Sequence, residues 1–276
     1  MEEDVVEAET TRTVDGIVPI TRRTDAAEVA TRAYARLLEL LDQLDEDAWR
    51  APTECTGWDV AAMVGHVIGA GRSGASIRES VRQQLWGRRH AAGFDGNSLD
   101  AVNDLQVQDH AALSPEQRIE ALRVVAPAAV RGRMRLPAPL RRVAVPIDPG
   151  GSTAHGMPAR LTLGNLMDVI YTRDVWLHTV DIARATSTPL DLDAGLDGRI
   201  VEDVVGEWAR RHGEPIRLTL TGPAGGRFHQ GAAGTTMELD AVAFCRILSG
   251  RAEPDETEAP GLGPQAVGLL RTRVIF

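Results

Sequence analysis

Hydrophobic and polar positions along the chain hold a helical period for most of its length and then switch to alternation. In "TDAAEVATRAYARLLELLDQLDEDAW", Val29, Leu37, Leu41 and Leu44 recur at helical spacing behind Thr24 or Asp25 as cap, which predicts a first helix. The loop "PTECTGW" (52–58) leads to a second helix, capped by Asp59 and running to about Arg82. "GFDGNS" (93–98) breaks the chain, and apolar periodicity returns over roughly 99–111. Ser114-Pro115-Glu116 opens a further helix, with cap and first-turn proline where they are preferred. Residues 133–160, rich in Pro, Arg and Gly, predict a long crossover. A fourth principal helix is expected from about Leu163 to Ala185, and four such helices with one long connection describe a bundle.

After "TSTPLDLD" the character changes. A helix over about 193–212 precedes "PIRLTLTGPAGGRFHQG", whose alternation around a Gly-Pro turn predicts strands. "TTMELD", a short helix ending "CRILSGR", and "LLRTRVIF" complete a small α+β domain. The expected layout is therefore mainly α: a polar arm at 1–23, a helical domain at 24–188 and an α+β domain at 189–276.

Composition narrows the function classes. The formal net charge is −9, which argues against general attraction to nucleic acid or an anionic membrane. No run approaches the roughly 18 apolar residues that span a bilayer, and "MEEDVVEAET" lacks the basic and apolar regions of a signal peptide. Cys55 and Cys245 form no metal or disulfide framework by spacing, so a cytoplasmic protein with reduced thiols is expected. Phosphate-binding glycine loops, H-E-x-x-H, C-x-x-C and a nucleophile elbow do not occur, and "GPAGG" (222–226) reads as a turn.

Chemistry concentrates on two helices. Projected at about 100° per residue, Asp174, His178 and Asp181 fall within about 60° of one another, in the middle of the fourth helix's apolar arc. Buried carboxylates require a partner cation or a metal. On this helix alone, a hydrogen-bonded His–Asp pair completed by an Arg from 131–142 and a metal site are both open readings. His66 lies on the shoulder of the second helix's apolar arc, between the small residues Ala62 and Ala70, and by itself reads as a packed core histidine. If the second and fourth helices pack together, His66, Asp174 and His178 become two imidazoles and one carboxylate, a set suited to catalytic zinc, with iron second.

The same segments carry a resemblance. "PTECTGWDVAAMVGHV" and "RDVWLHTVDIARA" together resemble the two helical motifs of the mycothiol-dependent maleylpyruvate isomerase family, within the DinB-like metalloenzymes. "LSGR" (248–251) behind "TTMELD" is similar to that family's small C-terminal domain, so the resemblance runs from about residue 25 onward. It implies a DinB-like four-helix bundle with a divalent metal, usually taken as zinc, on His66, Asp174 and His178, and Asp181 orienting a ligand or moving a proton. Where that family usually has glutamate this chain has Asp174, so the ion is expected closer to the helix or bound through a water.

The implied chemistry is activation of mycothiol, a low-molecular-weight thiol, for attack on an electrophilic small molecule, as isomerase or S-transferase. Metal-dependent hydrolysis by activated water, and a non-catalytic ligand-binding relative, are the alternatives. An anionic substrate or thiol would draw on arginines, of which Arg131, Arg133, Arg135, Arg141 and Arg142 cluster near the crossover, although an Arg run equally suits a solvated face. Arg142, Arg227, Arg251 and Tyr171 are taken as the candidate contacts. Cys55 and Trp58 are read as packing residues, and His90, His110, His155, His212 and His229 have no partner at metal spacing. Oligomeric state is not encoded in any of these features.

Overall fold

The computed structural model describes residues 11–146, 160–255 and 257–276. In chain order these form β1 (Arg12–Thr13), α1 (Ala26–Leu41), α2 (Val60–Ala75), α3 (Ile77–His90), α4 (Ser98–His110), α5 (Pro115–Arg135) and α6 (Ala138–Arg141). There follow β2 (Ala144–Pro146), β3 (Arg160–Thr162), α7 (Leu163–Asn165), α8 (Tyr171–Ala185), α9 (Arg199–His212), β4 (Ile216–Thr221), β5 (Gly226–Gln230), β6 (Thr235–Asp240), α10 (Ala241–Ser249) and α11 (Pro264–Leu270). They divide into two units: Ile20–Asp191 with Phe276, and Leu192–Ile275 with the described residues up to Pro19.

The first unit is the helical bundle. Asp59 caps α2 by accepting from Ala62 N at 2.8 Å, and Ser114 with Gln117 forms a reciprocal capping box on α5. α1 packs on α5 and α8, while α2 packs on α4, α5 and α8. Leu37, Leu41, Met63, Val64, Val67, Leu122, Leu177 and Ile182 fill the space between them. The second helix stops at Ala75 instead of reaching Arg82. Ser76 is extended (φ −141°, ψ 119°), and its side chain turns to cap α3 by accepting from Glu79 N. α3 and α4 lie as a pair beside α2, and at Gly69 an added Cβ would come within 2.6 Å of Gln106.

The expected crossover over 133–160 begins later than the composition implies. α5 continues to Arg135 because Gly132 lets it approach α2: a Cβ there would meet the Gly74 carbonyl and stand 2.9 Å from Ala75 Cα. β2 and β3 then pair antiparallel, with Val145 opposite Leu161. The intervening part of the crossover, including His155, lies outside the described residues. A π-helical turn, Leu166–Ile170, joins α7 to α8.

The second unit is α+β. Its sheet runs β1-β5-β4-β6, with β4 antiparallel to β5 and parallel to β6. Alternation along β4 buries Ile216, Leu218 and Leu220 against Phe228, Met237 and Leu239 of its neighbours. Trp208 of α9 meets Phe244 of α10 edge-on at 5.2 Å, both fully buried. The expected polar arm at 1–23 is corrected here over 11–19. Arg12 and Thr13 pair in parallel with β5, and Val14 and Ile17 are buried, so their apolar side chains find a core that a local reading does not reveal. No described helix is long and apolar enough to cross a membrane.

Candidate metal centre

Three helical positions bring their polar atoms to one point within the bundle. His66, from α2, presents Nε2 at 3.5 Å from Asp174 Oδ2 of α8. One turn along α8, His178 presents Nε2 at 3.3 Å from Asp174 Oδ1. Both rings are buried, and the Asp174 side chain keeps 22% of its exposure. The three ligand atoms all lie within 4.8 Å of one another. The packing of α2 on α8 thus joins residues separated by more than a hundred positions in sequence.

The separations are longer than those of charge-assisted hydrogen bonds and close to those of a metal cradle. Charge-assisted hydrogen bonds favour about 2.7–2.9 Å. In a tetrahedral site with zinc–ligand bonds of about 2.0–2.1 Å, neighbouring donor atoms stand about 3.3–3.4 Å apart. The observed 3.3 and 3.5 Å match the second spacing. His66 Nδ1 is buried and meets no hydrogen-bonding partner among the described residues. Two neutral imidazoles with one carboxylate are a donor set suited to a divalent ion, and the residues fit it. The shorter Asp174 still spans both rings, because α2 and α8 approach closely enough for one carboxylate to face each Nε2.

Around the triad the local electrostatics are strongly biased. Burial works to raise the Asp174 carboxyl, but the facing His178 and His66 rings outweigh it and hold it far below the usual carboxylate range. Burial likewise disfavours charge on His178, yet Asp174, Asp181 and the Cys55 thiol lift its pKa well above 6.5. Asp181 Oδ2 lies 3.1 Å from His178 Nδ1 and Asp181 is fully buried. This arrangement fixes which ring nitrogen of His178 faces Asp174, the part played by an orienting carboxylate.

The loop before α2 contributes more than packing. In "CTGW" a turn closes from Trp58 N to Cys55 O at 2.9 Å, and Gly57 takes φ +84°, which a side chain would disfavour. This turn places the Trp58 ring 5.0 Å from His66 and 6.3 Å from His178, and half-buried Cys55 against His178. Cys55, His178 and Asp181 form a second group at ligand spacing. The local sequence signal was the turn itself, whose first and last residues, Cys55 and Trp58, are the two that reach the histidines.

The remaining candidates scatter. Tyr171 is half-buried on α8 one turn before Asp174, with its hydroxyl hydrogen-bonded to Ser73. Arg142 is exposed beyond α6. Arg227 is exposed on β5, and Arg251 is half-buried after α10, both in the α+β unit. His90 stacks on Trp86 at 3.8 Å, and His110 Nδ1 bonds the Gln106 carbonyl at 2.7 Å. His212 sits edge-on to Trp208, where burial lowers its pKa to about 4. Arg133, one of the clustered arginines but not among the four candidate contacts, is buried close to the rings of Tyr34 and Tyr171.

Comparison with known proteins gives a family and a fold. Residues 30–183, more than half of the chain, match the family model for the mycothiol maleylpyruvate isomerase N-terminal domain. Among solved structures, one of a mycothiol-dependent maleylpyruvate isomerase aligns with a TM-score of 0.52 at 15% identity, covering 88% of this chain and 93% of that one. A histidine-to-alanine mutant of that enzyme aligns with the same TM-score and coverage at 14% identity. At this identity the likeness is one of fold. No curated protein matches the chain.

Proposed function

The chain belongs to the mycothiol maleylpyruvate isomerase N-terminal domain family, and from that premise we propose a divalent-metal enzyme that uses mycothiol to attack an electrophilic small molecule. The observation that carries this reading is the convergence of His66 Nε2, His178 Nε2 and the Asp174 carboxylate at ligand spacing in a buried site. These three residues are the ligands, zinc is the preferred ion, and iron or another divalent metal is the alternative. When bound, the ion supplies the positive charge that keeps a thiol deprotonated at neutral pH.

The chain's own groups prepare that chemistry. Asp181 holds His178 with Nε2 turned inward, and Trp58 walls the two imidazoles. The sulfur lone pair forms a C–S bond at an electron-poor double bond, and the π electrons move onto the conjugated acceptor. Rotation about the resulting single bond, followed by C–S cleavage, returns the thiolate and the isomerised alkene. Displacement of a leaving group by the same sulfur gives an S-conjugate instead. The ligand set serves either course. A thiol cosubstrate places the reaction in the reducing cytoplasm, in keeping with Cys55 and Cys245, which form no disulfide.

Calorimetric titration of the zinc-loaded protein with mycothiol tests this reading. Saturable binding is expected, and it should vanish after chelation and in His178→Ala. Stoichiometric metal without mycothiol binding turns the reading to water activation. Absence of stoichiometric metal overturns both.

A further inference from the structure

One charged side chain of the helical unit has no place in the scheme above. Arg133 ends the buried stripe of α5, following Leu122, Val125, Ala126, Ala129 and Val130, and is only 1% exposed. Its Nη1 lies 3.4 Å from Thr172 Oγ1, a weak contact. No acceptor among the described residues reaches Nε or Nη2. Those two nitrogens form one edge of the guanidinium, the edge that grips a carboxylate with two parallel bonds.

Two tyrosine rings lie near the guanidinium. The guanidinium carbon lies 6.0 Å from the Tyr34 ring centre and 5.8 Å from that of Tyr171. Ring faces attract a cation but leave its N–H groups unmet. Tyr171 and Thr172 lie three and two positions before Asp174 on α8, while Ser73, bonded to Tyr171, stands two turns beyond His66 on α2. The cluster therefore continues the inner face that carries the metal ligands. Tyr171 and Asp174 are both partly exposed, so it is not sealed on that side.

We propose that Arg133 anchors the carboxylate of the electrophilic substrate, taking both oxygens on its Nε–Nη2 edge between the rings of Tyr34 and Tyr171. That the anion belongs to the electrophile rests on the function proposed above, whereas the anion site itself does not. Arg133 is a binding residue in this scheme and takes no covalent part.

Crotonate and its neutral isostere crotonamide are the probes. In the 15N-labelled, zinc-loaded protein the Arg133 Nε–H resonance, identified by its loss in Arg133→Lys, should shift saturably with crotonate. Crotonamide should bind at least about tenfold more weakly, since a charge-assisted pair is lost. Crotonate should also raise the thermal midpoint of the wild type, and Arg133→Gln should weaken that effect roughly 10- to 100-fold in midpoint concentration. An unmoved resonance, or equal shifts with crotonamide or chloride, overturns the proposal. If both variants fail to fold, selective ligand-induced stabilisation of the wild type, crotonate against crotonamide, still decides it. Repeating the titration on chelated protein separates the two readings. Mycothiol binding should fail there while crotonate binding persists; failure of mycothiol to bind even the zinc-loaded protein removes the thiol reading alone, and failure of crotonate to bind either form removes this one alone.

Discussion

His178 is the residue on which the site turns, because its two ring nitrogens face different carboxylates. Nε2 looks toward Asp174 and Nδ1 toward Asp181, so the ring cannot rotate without losing one of them. Asp181→Asn keeps the shape but replaces the buried acceptor with an amide that fits either ring orientation. Metal affinity should fall by about 10–100-fold with the fold intact, as measured by chelator competition alongside circular dichroism. Unchanged affinity would reduce Asp181 to packing. The titrating groups also predict a pH signature for the metal-free protein. Asp174 is held below its ordinary 3.8, so its contribution to stability is present above that value and drains away as pH falls. His178 is held above its ordinary 6.5, so its contribution is complete below that value and is lost as pH rises through the folded pKa. The difference in thermal midpoint between wild type and Asp174→Asn, both with chelator, should therefore be greatest between about pH 4 and 6.5. A difference that stays flat to high pH contradicts the pairing.

At the scale of elements, the crossing of α2 and α5 decides what enters the bundle. Gly132 of α5 lies against Gly74 and Ala75 of α2, with backbone atoms where a Cβ would go, and the next residue is Arg133. Ala in place of Gly within a helix ordinarily gains up to about 1 kcal/mol. Here Gly132→Ala must push α2 aside, and overpacking of this kind costs about 1–3 kcal/mol, so urea denaturation should show a net loss. A net gain would mean that the helices part easily. The same crossing explains what the sequence conveyed and what it withheld. The caps at Asp59 and Ser114 were legible, because a cap is formed by residues within one turn. Asp174, His178 and Asp181 were legible because polar groups interrupt an apolar arc at one angular position. Arg133 was not, since Arg131, Arg133 and Arg135 read as a solvated run until α5 is known to continue past Gly132. Had the helix been extended, Arg133 would have fallen in register with Leu122, Val125, Ala126, Ala129 and Val130.

For the whole molecule, the two units draw on sequence differently. The helical unit is one run of chain plus Phe276, and its apolar period announces the principal helices. The α+β unit joins residues up to Pro19 with Leu192–Ile275, and no local pattern encodes that union. β1 has two residues and a parallel partner more than two hundred positions away, with Val14 and Ile17 as sparse apolar points in a polar stretch. Parallel pairing at such separation depends on tertiary packing, which periodicity does not report. Val14 is fully buried, so Val14→Asp places a carboxylate in an apolar setting, at a cost of several kcal/mol unless a partner compensates. Hydrogen-exchange protection should fall across β4, β5 and α9, and the unfolding midpoint with it. The candidate ligands all belong to the other unit, so metal stoichiometry at low temperature should stay at the wild-type value. Protection unchanged in β5 would show that residues 11–19 are dispensable to the sheet.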